Sequence, residues 1–578
     1  MKLSPLPDTD YDVAILGGSF SGACAGYLLK RDHPELRVLI VEKAAEFDRK
    51  VGESTSEVSG CFLTRVLGLH RYLSQNHITK HGLRLWFNGG GNECMSRCAE
   101  IGSKFQVRLP TYQLDRSHLD PHLLAMAEAA GCEVARPAAA RDIELGGAGK
   151  NRLTIKSADG ERQITAGWII DASGKAAVIA RQTGHWRRLD DHPTNSLWAR
   201  FRGAADIDDA MFRSKMGECF REAVWAGRGT ATNHLMGRGW WCWIIPLKDG
   251  DVSAGVTWDP RIFQLPAGGS LGERLKAHLV SHPVGQEMFG NAEPVEKDVR
   301  TYSHLPYYSE RAAGDGWVLV GDAAGFMDPL YSQGLDYCSH SIVAGVRTVS
   351  RAMMGGCPLA AGERFNQEFR ESYFRWFNAI YRNKYEYLGD AELMFAAFLM
   401  DVGTYFVGPV RLVYELGEDE FERMPYNGPA GAAFAKFMAF YNRRLVAIAK
   451  KRLAAGCYGR RNTDRRFIVS RSFSADFSAF RLVRDGNAVA QGGAARPLPA
   501  VRPTRGRHAI AAARRGDEAG VGWGLAPRLT ARAPPRPPAA SPPQIARGAP
   551  SDGARRRRIH GARGSGRLRA GYRRGGGR

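Results

Sequence analysis

The alternation of apolar and polar residues predicts a βαβ unit at the start of the chain. Asp12 to Leu16 and Arg37 to Val41 are short apolar runs of the kind that forms buried strands, and Ala23 to Arg31 is compatible with a helix. The glycine-rich segment Gly17 to Gly22 separates the first strand from the helix. A strand, a glycine turn, a helix and a second strand together make the first unit of a dinucleotide-binding fold.

Three further patterns follow later in the chain. Gly239 to Leu247 and Val252 to Trp258 alternate in polarity and contain several tryptophans, which predicts an antiparallel sheet. A strand at Trp317 to Val320 and a helix that begins near Ser332 predict a late return to the first domain. Residues 360 to 455 carry apolar side chains at helical spacing, which predicts helices that pack over the core.

These patterns predict an α/β protein in five parts. A helix at His118 to Ala130 and a strand at Trp168 to Ile170 complete the first part. The predicted parts are residues 1–190, the first part of the dinucleotide-binding domain; 191–300, an antiparallel-sheet substrate domain; 301–360, the return segment; 361–480, a helical C-terminal region; and 481–578, a disordered tail.

The formal net charge of +22 is concentrated in the predicted tail. Residues 481–578 contain 22 arginines, no lysine and four acidic residues, which leaves about +4 for the rest of the chain. The tail has too few large apolar residues to offset the entropy of ordering, hence the predicted disorder. Its arginine and glycine content would support weak, nonspecific contacts with nucleic-acid phosphates, which is a remote alternative function.

The sequence also disfavours several classes of protein. It shows no signal-peptide pattern and no apolar run of about 18 residues, so we expect a soluble, cytoplasmic protein without a membrane partner. It contains no H-E-x-x-H and no G-x-x-x-x-G-K-[ST] motif. Metalloprotease and P-loop phosphotransfer chemistry are therefore disfavoured, and no metal site is predicted.

The first glycine turn has the features of a dinucleotide fingerprint. Gly17, Gly18 and Gly22 lie between a strand and a helix, and Glu42 ends the next strand twenty residues after Gly22. The helix N-terminus presents N–H groups to a pyrophosphate, and Glu42 is placed to accept hydrogen bonds from a ribose. Ser19 stands where a glycine usually lets the backbone approach the phosphates, which is a departure from the pattern.

Two later segments decide which dinucleotide is expected. Ile169 to Gly174 (IIDASG) and Gly321 to Gly325 (GDAAG) resemble the second and third nucleotide segments of the FAD-dependent hydroxylase superfamily. The resemblance implies an FAD-binding Rossmann-like (GR2-type) domain, with Arg116 near the cofactor. It also implies cofactor contacts at four further positions: Asp171, Gly321, Asp322 and Pro329.

Within that superfamily the chain resembles the flavin-dependent halogenases. Trp241 to Pro246 (WCWIIP) matches their W-x-W-x-I-P signature, and Lys80 follows a Gly-Glu-Ser-Thr segment as their lysine does. The resemblance implies that Trp241 and Trp243 keep substrate away from the flavin. It implies that Lys80 holds hypohalous acid by a hydrogen bond or forms a haloamine. The alternative interpretations are a tryptophan-rich core strand and a solvated surface lysine.

A third halogenase feature is the segment Phe326 to Leu335 (FMDPLYSQGL). Ser332, Gln333 and Gly334 occupy a turn whose N–H groups face the flavin or a halide in the family. Tyr331 stands where tryptophan halogenases carry a glutamate, which favours a phenol or pyrrole over free tryptophan as substrate. Gln333 replaces a small serine or threonine at the expected halide turn.

The resemblance therefore implies an FAD-dependent oxidoreductase of secondary metabolism. It would use reduced FAD from a separate flavin reductase, oxygen and halide to halogenate an electron-rich aromatic, either free or tethered to a carrier protein. The alternative is an FAD-dependent monooxygenase or dehydrogenase without halide chemistry on the same fold.

Overall fold

A computed structural model describes residues 6, 8–92, 94–103, 109–209 and 227–469. The predicted disordered tail, residues 481–578, lies outside these ranges. All described residues belong to a unit that extends to Gly493.

The dinucleotide-binding part is built on a mainly parallel sheet. Its main strands, in spatial order, are Ala313–Gly314, Trp317–Leu319, Gly160–Asp171, Tyr11–Leu16, Val38–Val41 and Glu133–Ala135. Two further strands, Ala138–Glu144 and Asn151–Ser157, extend it as an antiparallel hairpin beside Gly160–Asp171. All six residues of the first strand are buried, as expected for a parallel strand covered on both faces.

A strand late in the chain joins the first sheet. Trp317–Leu319 pairs in parallel with the end of Gly160–Asp171, which in turn pairs in parallel with the first strand. A strand more than 140 residues later in sequence thus completes the same sheet, and the helix Gly334–Met353 follows it. The α/β fold class predicted from the sequence is confirmed.

The second sheet is mainly antiparallel and wider than predicted. In spatial order its strands are Glu293–Pro294, Asn195–Arg202, Val252–Trp258, Trp240–Pro246, Thr232–Gly237, Leu83–Phe87, Ala99–Ser103 and Arg466–Val469, with Arg300–Tyr302 also paired to Asn195–Arg202. The two predicted tryptophan-rich strands are adjacent and antiparallel. Three strands lie wholly outside residues 191–300 and Arg300–Tyr302 crosses the end of that range, so this sheet joins segments that the predicted boundaries separate.

The remaining elements are two small sheets and the helices. The small sheets contain Trp186–Arg188, Tyr307–Ser309 and Gly325–Phe326, and Ile78–Thr79 with Tyr112–Gln113. The α-helices of the described residues are Phe20–Asp32, Glu57–Cys61, His70–Asn76, Arg116–Ala129, Val178–Gln182, Leu271–Val280, Pro283–Phe289, Gly334–Met353, Pro358–Trp376, Ala391–Tyr405, Arg411–Leu416, Glu418–Phe421 and Gly428–Ala454. Short π-helical segments, Phe62–Val66, Phe377–Tyr381 and Phe406–Val410, continue three of them.

The tryptophan-rich strand separates two apolar cores. Trp241, Trp243 and Ile245 belong to the core shared with the parallel sheet and the C-terminal helices. Cys242 and Ile244 belong to a second core on the other face. Because successive side chains of a strand point to opposite faces, the alternation of the sequence places both tryptophans on the inner face.

One helical run departs from the sequence-based expectation. Ala391–Leu416 is long and apolar enough to cross a membrane by length and composition, with a mean hydropathy of 1.6. The expectation that the chain has no such run was therefore wrong. In the structure 56% of the 18-residue apolar stretch within this run is buried inside the protein, as in the core helix of a soluble fold.

The first glycine turn generates a prediction about stability. A Cβ at Gly22 would lie 1.8 Å from the Gly17 carbonyl oxygen, whereas a Cβ at Gly26 meets a flexible Ile40 side chain at 2.8 Å. Gly22→Ala should lower the free energy of unfolding by about 3 kcal/mol, because backbone cannot yield. Gly26→Ala, the matched control, should cost about 1 kcal/mol or less. Urea denaturation of both variants measures the difference, and equal costs would contradict the prediction.

Candidate active site

A cavity of about 850 Å³ lies where the two sheets and the return segment meet. This volume is within the usual range for small-molecule and cofactor sites, roughly 300–1,000 Å³. The glycine turn borders the cavity at the carboxyl end of the first strand, which is where open α/β sheets bind ligands.

The cavity brings together most of the predicted site residues. Ten line it: Gly17, Ser19, Glu42, Arg116, Trp241, Trp243, Asp322, Pro329, Ser332 and Gly334. Six do not: Gly18, Gly22, Lys80, Asp171, Gly321 and Gln333. Segments that are hundreds of residues apart in sequence therefore line the same cavity.

The glycine turn and Glu42 lie at one end of the cavity. Gly17 has a φ of 103°, and a Cβ there would lie 2.6 Å from the Ala172 carbonyl oxygen, so glycine is required. The Glu42 carboxylate accepts hydrogen bonds from the N–H groups of Gly18, at 2.7 Å, and Ala44, at 2.8 Å. These contacts fix the Glu42 side chain at the end of its strand, beside the cavity that it lines.

The turn accommodates Ser19 because its hydroxyl is directed toward the helix Arg116–Ala129. The Ser19 hydroxyl donates to the Asp120 carboxylate, and Arg116 Nε donates to the same carboxylate at 2.7 Å. Lys50 Nζ donates to Ser19 Oγ at 3.1 Å. Burial lowers the pKa of Lys50. Two cations, Lys50 and Arg116, thus line the cavity beside the turn and suit a pyrophosphate.

The two predicted aspartates have different surroundings. Asp171 is fully buried, and its carboxylate accepts from Ser173 N and Ile179 N at 2.9 and 2.7 Å. It shapes the loop whose neighbouring residues, Ala172 and Ser173, line the cavity. Asp322 lines the cavity itself, and burial raises the pKa of its carboxyl group. Asp171 is therefore placed to position the loop, and Asp322 to contact a ligand.

The two tryptophans form an aromatic wall at the other end. The rings of Trp241 and Trp243 have centroids 5.8 Å apart and are tilted by 48°. Their exposed fractions are 1% and 7%, so the wall is both part of the core and part of the cavity. His234 also lines the cavity, with its ring 5.5 Å from that of Trp241. The two indoles therefore make this end of the cavity apolar.

The return turn, residues 328–334, has an unusual backbone. Tyr331 and Ser332 have φ values of 70° and 62°, in the left-handed region. The Gln333 side chain does not enter the cavity: its Oε1 accepts from Trp376 Nε1 and from the Tyr381 hydroxyl. Gln333, which replaces the small serine or threonine of the halogenases, therefore leaves the cavity side of the turn open.

Tyr331 also points away from the cavity. Its hydroxyl donates to Asp401 Oδ2 at 3.1 Å, and Lys384 Nζ lies 2.5 Å from the same oxygen. Lys384 and Asp401 are both buried. The position of the tryptophan-halogenase glutamate is thus filled by a phenol that faces the C-terminal helices.

Lys80 is buried one residue away from the cavity wall. Its Nζ donates to the Thr55 carbonyl at 2.7 Å, and the preceding residue, Ser54, lines the cavity. Burial lowers the pKa of Lys80, and the nearby carboxyls of Glu57 and Asp336 oppose that shift. Burial raises the pKa of Glu57. The interpretation of Lys80 as a solvated surface residue is therefore wrong.

Comparison with known proteins places the chain in a family. The family model described as tryptophan halogenase matches residues 92–383, just over half of the chain. The chain belongs to the tryptophan halogenase family. The resemblance inferred from the W-x-W-x-I-P segment and the return turn is confirmed.

Individual relatives of this halogenase family are distant in sequence. The chain is 28% identical to tetracycline 7-halogenase of Kitasatospora aureofaciens over 57% of this chain and 61% of that protein. It is 23% identical to a 1H-pyrrole-2-carbonyl-[peptidyl-carrier protein] chlorinase of Pseudomonas fluorescens, over 68% and 87%. The alignment thus spans less than two thirds of the tetracycline enzyme.

A solved halogenase has the same fold. The crystal structure of halogenase PltM in complex with phloroglucinol and FAD matches with a TM-score of 0.64 at 19% identity. The match covers 76% of this chain and 96% of PltM. The Rossmann-like fold class with a second sheet and C-terminal helices is confirmed.

Four residues in the cavity wall or behind it were not predicted from the sequence. Lys50 and His234 line the cavity, whereas Tyr385 and His192 lie behind Trp241, which donates to the Tyr385 hydroxyl. Lys50 directly precedes the Val-Gly-Glu-Ser-Thr segment, and His234 lies on a strand adjacent to the tryptophans, so nearby motifs were available as signals. His192 and Tyr385 have no local signal, because they reach the site through contacts over long sequence separations.

His234 generates a prediction of acid sensitivity. Burial lowers its pKa from 6.5 to about 3, so between these values the unfolded chain binds more protons than the folded one. The free energy of unfolding should therefore fall as the pH drops below 6.5, by about 2 kcal/mol from this residue at pH 5. Urea denaturation at pH 5 and 7 should show a drop that is smaller by this amount in His234→Gln. The exposed His118→Gln should behave as the parent; an unchanged drop in both variants would contradict the prediction.

The buried Lys384–Asp401 pair generates a second prediction. Lys384→Met leaves the Asp401 carboxylate buried without its cation and should cost about 3–5 kcal/mol of unfolding free energy. The double variant Lys384→Met/Asp401→Leu should recover more than half of that loss, because no unpaired charge remains. Lys156→Met, which breaks an exposed pair, should cost less than about 1 kcal/mol. A double variant no more stable than the single one would refute the assignment.

Proposed function

We propose that this protein is a flavin-dependent halogenase that uses reduced FAD, oxygen and halide to halogenate an electron-rich aromatic. The observation that carries the proposal is the shared cavity. The nucleotide turn, the Trp241–Trp243 wall and the turn ending at Gly334 all border it. Family membership supports the same chemistry.

The residues present fit FAD. The glycine turn, Lys50 and Arg116 would hold the pyrophosphate at the N-terminus of the helix Phe20–Asp32, and Glu42 would hold the ribose. Asp322 would contact the linker to the flavin. When bound in its reduced form, FAD supplies the reaction with oxygen that converts halide into hypohalous acid.

The protein's own groups would then control the oxidant. Trp241 and Trp243 would prevent an aromatic substrate from reaching the flavin, because bulky indoles fill that side of the cavity. The N–H groups at the start of the helix Gly334–Met353 would hold the halide. Lys80 would receive the hypohalous acid in a site without bulk water and direct it to the substrate.

We further propose a phenol or pyrrole as substrate. Tyr331 stands where tryptophan halogenases carry a glutamate, so this position supplies no carboxylate to the cavity. Its hydroxyl donates to Asp401 instead. The names of three relatives include a tetracycline, a pyrrole on a carrier protein and the phloroglucinol bound to PltM, and the name of a fourth is tryptophan 2-halogenase. Partners of the protein would be a flavin reductase and, for a tethered substrate, a carrier protein.

A cytoplasmic location and weak nucleic-acid binding through residues 481–578 stay predictions from the sequence alone.

The proposal predicts bromide incorporation that depends on Lys80. Protein loaded with FAD, a flavin reductase, NADH and bromide should convert phenols, pyrroles or a carrier-bound pyrrole-2-carbonyl thioester to brominated products seen by mass spectrometry. Lys80→Met should lower the yield about 100-fold, because the oxidant is no longer directed. Lys156→Met, an exposed lysine of the hairpin, is the matched control and should behave as the parent.

Three results would contradict parts of this proposal. A product that gains oxygen and no bromine would identify a monooxygenase. A desaturated product would identify a dehydrogenase. Equal bromination by the parent and by Lys80→Met would leave the halogenase assignment standing and show that Lys80 has no catalytic role.

A further inference from the structure

A chain of buried hydrogen bonds connects the tryptophan wall to the return turn. Trp241 Nε1 donates to the Tyr385 hydroxyl at 2.8 Å, and that hydroxyl donates to Asp328 Oδ2 at 2.8 Å. His192 Nε2 lies 2.8 Å from the same carboxylate oxygen. None of the four residues is more than 3% exposed. Of the four, only Trp241 lines the cavity.

Each end of the chain is tied to its own backbone segment. Asp328 Oδ1 accepts from Leu330 N at 2.9 Å, which ties the carboxylate to the turn. Gly239 N donates to the Tyr385 carbonyl at 2.9 Å, which ties Tyr385 to the residue before the tryptophan-rich strand. The side chains therefore connect two segments whose backbones are also fixed locally.

The hydrogen bonds have one consistent direction. The indole of Trp241 can only donate, so the Tyr385 hydroxyl accepts from it and donates its own proton to Asp328. The Asp328 carboxylate accepts from Tyr385, and the His192 tautomer that carries a hydrogen on Nε2 donates to the same oxygen. Two donors thus converge on one carboxylate oxygen, and hydrogen bonds to a carboxylate are stronger than those between neutral groups.

An apolar contact would be the less costly way to hold these segments together. A carboxylate buried with a histidine loses much hydration, and replacement by packed apolar groups is often neutral or stabilising. Buried polar networks of this kind can instead specify one arrangement of the groups they join. In this protein the joined groups are the indole in the cavity wall and the turn that carries Ser332 and Gly334.

We propose that Tyr385, Asp328 and His192 are positioning residues that fix the Trp241 indole relative to the return turn. This inference rests on the proposed halogenase function, in which oxidant forms at the turn and must pass the tryptophan wall. Without this relay of hydrogen bonds from Trp241 through Tyr385 to Asp328 and His192, only packing holds the indole. Its position relative to the turn then varies, and more hypohalous acid escapes to solvent instead of reaching the substrate. The relay therefore sets how much of the oxidant is used productively.

Tyr385→Phe tests the relay because it removes the hydroxyl and keeps the ring that contacts His192, 5.2 Å away between centroids. In the bromination assay the ratio of brominated product to NADH consumed should fall about 10-fold. Hypobromous acid trapped in solution by monochlorodimedone should rise in the same samples. Tyr387→Phe is the matched control: it is equally buried, but its hydroxyl donates to Asn442 Oδ1 at 2.7 Å and not to the relay.

A second measurement does not depend on turnover. In protein labelled with 5-fluorotryptophan, the ¹⁹F resonance of Trp241 is assigned through Trp241→Phe. That resonance should broaden or split in Tyr385→Phe and stay as in the parent in Tyr387→Phe. His192→Gln, whose amide can still donate to Asp328, should keep at least half of the parent's product ratio, whereas His192→Leu should not.

The outcomes separate the two proposals. If the parent brominates none of the substrates, the proposed function fails, and the ¹⁹F spectra still test the relay. If Tyr385→Phe has the product ratio and the Trp241 resonance of Tyr387→Phe, the relay has no positioning role and the inference is overturned. If Tyr385→Phe does not fold, the two His192 variants decide the matter. The inference is then overturned if both of them fold and retain the product ratio and the Trp241 resonance of the parent.

Discussion

The left-handed backbone of the return turn is the constraint on which the rest of the site depends. Tyr331 and Ser332 both have positive φ values, and such residues cost roughly 1–3 kcal/mol each unless the surroundings hold them. The holding groups come from the C-terminal helical region: Asp401 binds the Tyr331 hydroxyl, and Trp376 and Tyr381 bind the Gln333 side chain. The lining of the cavity ends at Cys338 among the described residues. The C-terminal helices therefore shape the site without lining it.

The second constraint is the alternation of the tryptophan-rich strand. Trp241 and Trp243 can form the cavity wall only because Cys242 and Ile244 are buried in a separate core on the other face of the sheet. A shift of one residue in register would exchange the two sets. The second core thus holds the wall in register, and the hydrogen bond from Trp241 to Tyr385 holds one indole within it.

The strands, turns and helices that depend on short-range sequence patterns could be predicted from the sequence. The glycine turn, the first strands and the W-x-W strand follow from short-range patterns, and all were found near their predicted bounds. The orientation of Gln333 could not be predicted, because it is set by partners more than 40 residues away. The same holds for His192, which meets Asp328 across 136 residues. Domain boundaries along the chain also could not show that Leu83–Phe87 pairs with Thr232–Gly237 in one sheet.

The burial of Lys80 follows from the same construction and bears on its chemistry. The ammonium is held by the Thr55 carbonyl, and the carboxyls of Glu57 and Asp336 act on it electrostatically. An amine in such surroundings loses its proton more readily than one in water, because burial disfavours the charged form. His234, which lines the cavity, in turn feels the charge of Lys80, and burial keeps that imidazole neutral over the physiological range. The uncharged His234 imidazole in the cavity wall therefore adds no second cation beside Lys80, whose own pKa burial already lowers.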